Sequence, residues 1–301
     1  MAKTVLITGG AGFIGSHIAR SLSGAKLIVL DNLQTGARKN VEGIEAEFIK
    51  ADCTDIPSLG LAGKGITEIY HLGMPSSSPL YKDDHNLVGY AINGSICVFD
   101  LAKDCRAKVV YASSSSLYNG IDPPHREDMP IKVTDYYTEA RYGVERMARL
   151  YHTLYGVQSI GLRLFSVYGP GENSKGKLAN IISQFLWSMQ ANEQPLIYGG
   201  GEQTRDFTYV KDVARAFRLA MASSIECDVF NIGTGQMTSF NQVVARLAQQ
   251  LGVSIDAKRI ENPIKNYVGY TQADTSKARK ALGFQAEYSL EQGIRELIKS
   301  A

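Results

Sequence analysis

Short apolar runs alternate along the chain with longer stretches in which apolar residues recur every three or four positions. The runs Val5–Thr8, Leu27–Leu30, Glu47–Ile49, Glu68–His71, Lys108–Ser113 and Ser159–Phe165 have the length and character of buried strands. Between them, Gly15–Leu22, Val88–Lys103 and Thr138–Tyr155 follow a helical period. Strands that alternate with helices predict a parallel sheet covered on both faces.

After Phe165 the pattern changes. Ser166–Gly171 reads as a loop and Leu178–Ala191 as a helix, whereas Thr208–Val210 and Val229–Ile232 resemble strands that rejoin the first unit. A helix from about Ser239 to Leu251, a strand near Asp256–Arg259 and a helix from about Leu290 to Ile298 complete the chain. There is no repeat and no obvious linker. The expected organisation is therefore interleaved, with residues 1–165 and about 207–235 in a larger domain, and about 166–206 and 236–301 in a smaller one.

Composition narrows the picture. A chain of 301 residues with 44% hydrophobic and 21% charged residues can bury a substantial core. Its net charge of +2 is spread without a basic block or basic amphipathic stripe, which argues against nucleic-acid and membrane-surface partners. The four cysteines (Cys53, Cys97, Cys105, Cys227) lack metal-ligand spacing and read as reduced thiols of a cytoplasmic protein with no metal site. Met1-Ala2-Lys3 leads at once into Thr4–Thr8, too short for a secretory segment. No run reaches the ~18 apolar residues that a membrane span needs.

The sharpest chemical signal is Gly9-Gly10-Ala11-Gly12-Phe13-Ile14-Gly15, which follows one strand and opens a helix. Gly9 permits a tight turn, Gly12 lets a pyrophosphate approach the backbone, and Gly15 lets the helix pack on the sheet. The helix N-terminus then presents free N–H groups and partial positive charge to a diphosphate. Asp31 ends the next strand 22 residues beyond Gly9, near the ~20 expected for a carboxylate that binds a ribose 2′-hydroxyl. Together these predict a Rossmann-type doubly wound parallel sheet that binds a dinucleotide. An anion at Asp31 favours NAD over NADP, and Arg38 and Lys39 are the cations that could offset it.

The glycine spacing, with Asp31-Asn32-Leu33, Asp52, His71-Leu72-Gly73, Ser113–Tyr118, Gln203–Val210 and Leu282-Gly283-Phe284, resembles the extended short-chain dehydrogenase/reductases. These include NAD-dependent nucleotide-sugar epimerases and dehydratases, and the resemblance runs nearly end to end. It implies an α/β fold with a smaller, interleaved α/β substrate domain. Gly9, Gly12, Phe13, Ile14, Gly15, Asp31, Asn32, Asp52 and Leu72 would line the NAD site. The family uses Tyr-x-x-x-Lys, a phenolate base beside a cation one helical turn away. A tyrosine with a free pKa near ~10 needs that cation to act near neutrality, and four residues of helix put it on the same face.

Here the motif reads Tyr137-Thr138-Glu139-Ala140-Arg141, with arginine in place of lysine and Glu145 supporting the register. Arginine keeps the charge but not the compact ammonium geometry. Tyr136 and Tyr142 are the alternative bases, against packing roles. Ser114 matches the catalytic hydroxyl, while Ser115 and Ser116 stand where the family's dehydratases carry Asp-Glu, which disfavours dehydration.

On the substrate side, Arg205 matches a diphosphate contact, for which a guanidinium fork is suited, and Ser166 stands where the family often has asparagine. Gly169–Gly176 and Tyr270–Asp274 resemble the ADP-heptose 6-epimerases, in which Lys175 would match a second base; a solvated loop lysine or a phosphate contact is the other reading. Asp31–Gly36 equally resembles the UDP-glucose 4-epimerase group.

The leading expectation is an NAD-dependent isomerase: a UDP-hexose 4-epimerase working through a transient keto-sugar, with hydride passed to and from NAD. The alternatives are heptose 6-epimerisation, dehydration, decarboxylation or reduction, or a catalytically impaired NAD-binding protein because of Arg141. Family members pair through helices matching Val88–Lys103 and Thr138–Tyr155, so a homodimer is expected, with Cys97, Phe99, Met147 and Leu150 as candidate contacts.

Overall fold

The apolar runs of the first half all become strands of one sheet. In the computed structural model they are β1 (Thr4–Thr8), β2 (Lys26–Leu30), β3 (Ala46–Ile49), β4 (Ile66–His71), β5 (Lys108–Ser114) and β6 (Ser159–Leu164). The later strand Cys227–Ile232 joins at the edge beside β6 and completes a seven-stranded sheet. From that edge the order is β6, β5, β4, β1, β2, β3, and every pairing is parallel. Strand order reverses between β1 and β4. The chain leaves neighbouring strand ends there in opposite directions and opens a crevice at their C-terminal ends. The structure describes residues 3–263 and 267–300, so Met1 and Ala2 of the N-terminal reading and Ala301 lie outside the described residues.

Both faces of the sheet are covered. On one lie α2 (Ser78–Asp83), α3 (Leu87–Cys105) and α4 (Tyr136–Tyr155), which bury Tyr81, Val98, Phe99 and Val144 against Ile69, Val109 and Tyr111 of the strands. On the other lie α1 (Phe13–Ser21), α6 (Val210–Ala222) and α8 (Ser276–Leu282), with Ile18, Phe217 and Leu282 packed against Val5, Val110 and Phe230. Burying one such side chain contributes about 1.5–3 kcal/mol. A third core gathers α5 (Ile181–Gln190), α7 (Phe240–Leu251) and α9 (Leu290–Lys299) around Ile182, Leu186, Val243, Leu247 and Ile294. Beside it the strand Leu196–Tyr198 pairs with Lys258–Ile260.

One expected element is corrected. Thr208–Val210 does not rejoin the large sheet. Only Thr208–Tyr209 is extended, paired with Val167–Tyr168, and at Val210 the chain enters α6. Val213, Ala216, Phe217 and Ala220 recur at helical spacing and are buried, so the hydrophobic pull of that face takes over from the β-branched start. The four cysteines are unpaired. Among the described residues no helix is long and apolar enough to cross a membrane, and no cluster of metal-ligating side chains occurs.

Candidate functional site

A cleft of about 330 Å³ opens at the C-terminal ends of the strands. Its floor is the turn between β1 and α1. Gly9 has φ of 67°, and a Cβ there would stand 2.6 Å from the carbonyl carbon of Leu72. A Cβ on Gly15 would lie 2.2 Å from the carbonyl oxygen of Gly9, so only glycine lets α1 seat this closely. Gly12 caps α1 without a side chain, and Gly12, Phe13, Ile14 and Gly15 line the cleft. The first helical N–H groups are thus left to the cleft, with the positive end of the helix behind them.

Asp31 follows β2 and is buried. Its carboxylate accepts the N–H of Ala11 at 2.9 Å and that of Leu33 at 2.8 Å, while burial pushes the carboxyl above the usual carboxylate range. Asn32 Nδ2 donates to Asp52 Oδ1 at 2.7 Å, and the Tyr90 hydroxyl bonds to the same oxygen. Arg38 lies over the ring of Phe48, 3.8 Å from its centre.

At the other end of the cleft, β5 and α4 bring Ser114, Tyr137 and Arg141 together. Ser114 Oγ accepts the N–H of Ser116 at 3.1 Å, which caps the turn Ser115–Tyr118 and leaves its own proton free to donate. The Asp135 side chain caps α4 by accepting the N–H of Thr138 at 2.7 Å, so Tyr137 falls in the first helical turn.

Arg141, one turn on, has its guanidinium carbon 5.0 Å from the centre of the Tyr137 ring. Its Nη2 donates to the carbonyl of Pro75 at 2.6 Å. Its Nη1 contacts Met74 Sδ at 3.1 Å and the Ala112 carbonyl at 3.5 Å. The Nε, although buried, has no protein acceptor. Burial works against the charge and the neighbouring Tyr137 and Tyr81 oxygens favour it, the balance leaving the guanidinium above its ordinary range. Tyr81 packs edge-on against Tyr137 at 5.4 Å and is itself pushed by burial up to about 12. Tyr136 is half-exposed and stacked on His85, and Tyr142 lies under Arg146; neither is among the residues that line the cleft.

Leu72, Ser166 and Lys175 also line the cleft. Ser166 adopts φ of 29°, a left-handed conformation unusual for serine. Lys175 Nζ pairs with the buried Glu172 at 2.9 Å and sits 5.4 Å from the centre of the Phe13 ring. Arg205 is not brought to this lining. It bonds the Thr204 carbonyl at 2.7 Å and packs between Phe240 and Tyr267, at 5.3 and 5.5 Å.

Sequence reasoning missed Cys53, Met74, Pro75, Ser76 and Tyr90, all of which line the cleft. The only local signal for Met74–Ser76 was their position just after the His71-Leu72-Gly73 strand end.

Residues 5–233 match the family model described as the NAD dependent epimerase/dehydratase family. A putative UDP-glucose 4-epimerase of Methanocaldococcus jannaschii is 34% identical, over 98% of this chain and 97% of that protein. Among solved structures, a UDP-glucose 4-epimerase of Thermotoga maritima with UDP-glucose superposes with a TM-score of 0.93 at 29% identity, covering 99% of this chain and 98% of that one. A UDP-N-acetylglucosamine 4-epimerase of Methanobrevibacter ruminantium, in complex with UDP-N-acetylmuramic acid, also gives 0.93, at 28% identity with the same coverage.

Proposed function

The chain belongs to the NAD-dependent epimerase/dehydratase family, and from that premise we propose that it is a nucleotide-sugar 4-epimerase that interconverts UDP-glucose and UDP-galactose. The observation that carries this reading is the meeting, in one cleft, of a glycine-lined helix N-terminus with the Ser114, Tyr137 and Arg141 side chains. The bare glycine loop, the uncapped first turn of α1 and the orphaned Nε of Arg141 fit a dinucleotide. The loop and helix end would hold its diphosphate and Asp31 its adenosine ribose. The Asn32–Asp52 pair, with Tyr90, would meet the adenine, and Leu72 would flank the chain of the cofactor. Bound NAD supplies a reversible hydride acceptor for the sugar carbon.

The chain's own residues manage the proton. Tyr137 Oη accepts it from the sugar 4-hydroxyl, and Ser114 Oγ donates a hydrogen bond to the same oxygen. The Arg141 guanidinium lies beside the Tyr137 ring, and Tyr137 itself stands in the first turn of α4, at the positive end of that helix. Burial of Tyr137 beside Tyr81 keeps bulk water off that proton path. Ser115 and Ser116 offer no acid pair for eliminating water, which supports epimerisation over dehydration. Ser166 and Arg205 are proposed to serve the substrate diphosphate side. We further propose a homodimer formed through the outer faces of α3 and α4, and a cytoplasmic location, for which four unpaired thiols are suited.

The test is a proton NMR time course with UDP-galactose and NAD. Conversion to UDP-glucose is expected, with a loss of about 10²-fold or more for Tyr137→Phe, retention within about tenfold for Arg141→Lys, and a loss of about 10²-fold for Arg141→Met. No conversion by protein shown to hold NAD would sink the UDP-hexose reading.

A further inference from the structure

The segment after Tyr168 comes back across the glycine loop and is pinned on both sides of it. On the α1 side, His17 Nε2 donates to the carbonyl of Pro170 at 2.9 Å, and burial pushes that imidazole below its usual pKa. On the side of the Asp31–Gly36 turn, Ser174 Oγ donates to the carbonyl of Thr35 at 2.8 Å. Gly176, at φ of 51° and ψ of −123°, turns the segment away toward α5 in a conformation that favours glycine.

Immediately after the second pin stands Lys175. Its stem is largely covered, and its ammonium lies over Phe13, the first residue of α1. Glu172 aims it there. That carboxylate is buried, and it also accepts Ser183 Oγ at 2.6 Å and the N–H of Asn180 at 3.0 Å, so it is fixed to the start of α5. Among the described residues, the basic side chains lining the cleft are Arg141 and Lys175. Arg141 is committed to Pro75, Met74 and Ala112 at the far end. Asp31 and Asp52 make the near end negative. Among the described residues of the lining, a diphosphate at the helix end would therefore have Lys175 as its side-chain cation, carried by this strap.

We propose that Lys175 neutralises the diphosphate of NAD, and that residues 169–178 form a strap that must lift for the cofactor to exchange. This rests on the cofactor and not on which sugar is turned over. A compact ammonium on a flexible stem suits this task, since it can share its protons between Glu172 and a phosphate oxygen. The contact is electrostatic and partly exposed to solvent, so it weakens with salt.

Direct titration of cofactor-free protein tests it, with NAD, ADP-ribose, adenosine and UDP as ligands. For Lys175→Met, NAD and ADP-ribose are expected to bind at least about tenfold more weakly, adenosine and UDP within about twofold of wild type. Lys175→Arg should recover most of the loss. In wild type the NAD affinity should fall from 0.05 to 0.5 M salt (about tenfold), and this slope should flatten in the methionine variant. Because Lys175→Met leaves Glu172 unpaired, the double variant Lys175→Met/Glu172→Gln serves as the folding control and should show the same weakening. Ser174→Ala should speed NAD release without changing the adenosine affinity. Unchanged NAD binding in both methionine variants would overturn the proposal. So would a selective loss of UDP binding, which would assign Lys175 to the substrate diphosphate. Neither readout depends on epimerase turnover, so failure here is separable from failure of the 4-epimerase reading.

Discussion

Arginine at position 141 is workable because its neighbours absorb its extra breadth. Pro75 and Ala112 offer carbonyls and Met74 a soft sulfur to its two Nη groups, while the guanidinium carbon stays 5.0 Å from the centre of the Tyr137 ring. Behind this cluster, His71 is fully buried. Ser95 Oγ donates to the Ala91 carbonyl at 2.7 Å, so it accepts from His71 Nε2 at 2.9 Å, and Thr8 Oγ1 donates to Nδ1 at 2.7 Å. Thr8 Oγ1 in turn accepts the N–H of Gly73, at the start of the segment that holds Arg141. Burial, and secondarily the Arg141 charge, push the imidazole from 6.5 down to about 3.

The folded state therefore keeps His71 neutral where the unfolded chain takes up a proton. Its contribution is fully present above pH 6.5 and is lost as pH falls from 6.5 toward about 3. Urea unfolding between pH 7 and 4.5 should show stability falling with a slope of up to about 1.4 kcal/mol per pH unit from this group. His71→Gln should be less stable at pH 7 but lose that part of the slope. Equal slopes in the two proteins would count against the assignment.

At the scale of elements, the cleft depends on how α4 is fixed to the sheet. Arg163 of β6 grips both oxygens of Glu145 on α4, at 2.9 and 2.7 Å, while Ser113 of β5 donates to Glu145 Oε1 at 2.6 Å. Arg163 also donates to the Tyr118 hydroxyl at 2.7 Å, at the end of the turn that Ser114 caps. One buried ion pair thus ties together the strand that bears Ser114 and the helix that bears Tyr137. Removing one partner leaves an unpaired buried charge, so Glu145→Gln is expected to cost about 3–5 kcal/mol. The Glu145→Met/Arg163→Met double variant should cost clearly less than the sum of the single ones. Urea melts in a double-mutant cycle measure this, and additive costs would refute the coupling.

The clamp also shows where sequence reading stops. Strand and helix positions, the glycine loop and Asp31 were legible because period, turn chemistry and short spacing encode them locally. Arg141–Pro75 joins residues 66 apart, and Ser113–Glu145 joins residues 32 apart. Only tertiary packing decides such meetings. Helix α6 was misread for a related reason: its start, Thr208–Val210, has the composition of a strand, and only the buried face beyond it reveals the helix.

At the scale of the whole molecule, the C-terminal end of α4 exposes large apolar side chains. Of the residues considered for self-association, Phe99 is wholly inside its own core, against Tyr111 and Tyr151. Cys97 and Met147 are half-covered by that same core. Leu150 does face outward, and the next turn of α4 adds Leu154 and Tyr155, with exposures of 48%, 64% and 57%. These residues lie on one end of α4, the element that also carries Tyr137 and packs extensively on α3. A helix pair that buries one face in its own domain and exposes a second apolar patch is suited to packing against its own copy, which would make a four-helix interface with twofold symmetry. The hot contacts of such an interface would be these three side chains. Light scattering is expected to give a mass near twice 32.9 kDa for the wild type, and near the single-chain value for Leu154→Glu, since a charge buried at the centre of a symmetric apolar patch faces its own copy. The variant should bind NAD as the wild type does, because Leu154 is not among the residues that line the cleft. A monomeric wild type would remove the dimer, and a dimeric Leu154→Glu protein would move the interface off this face of α4.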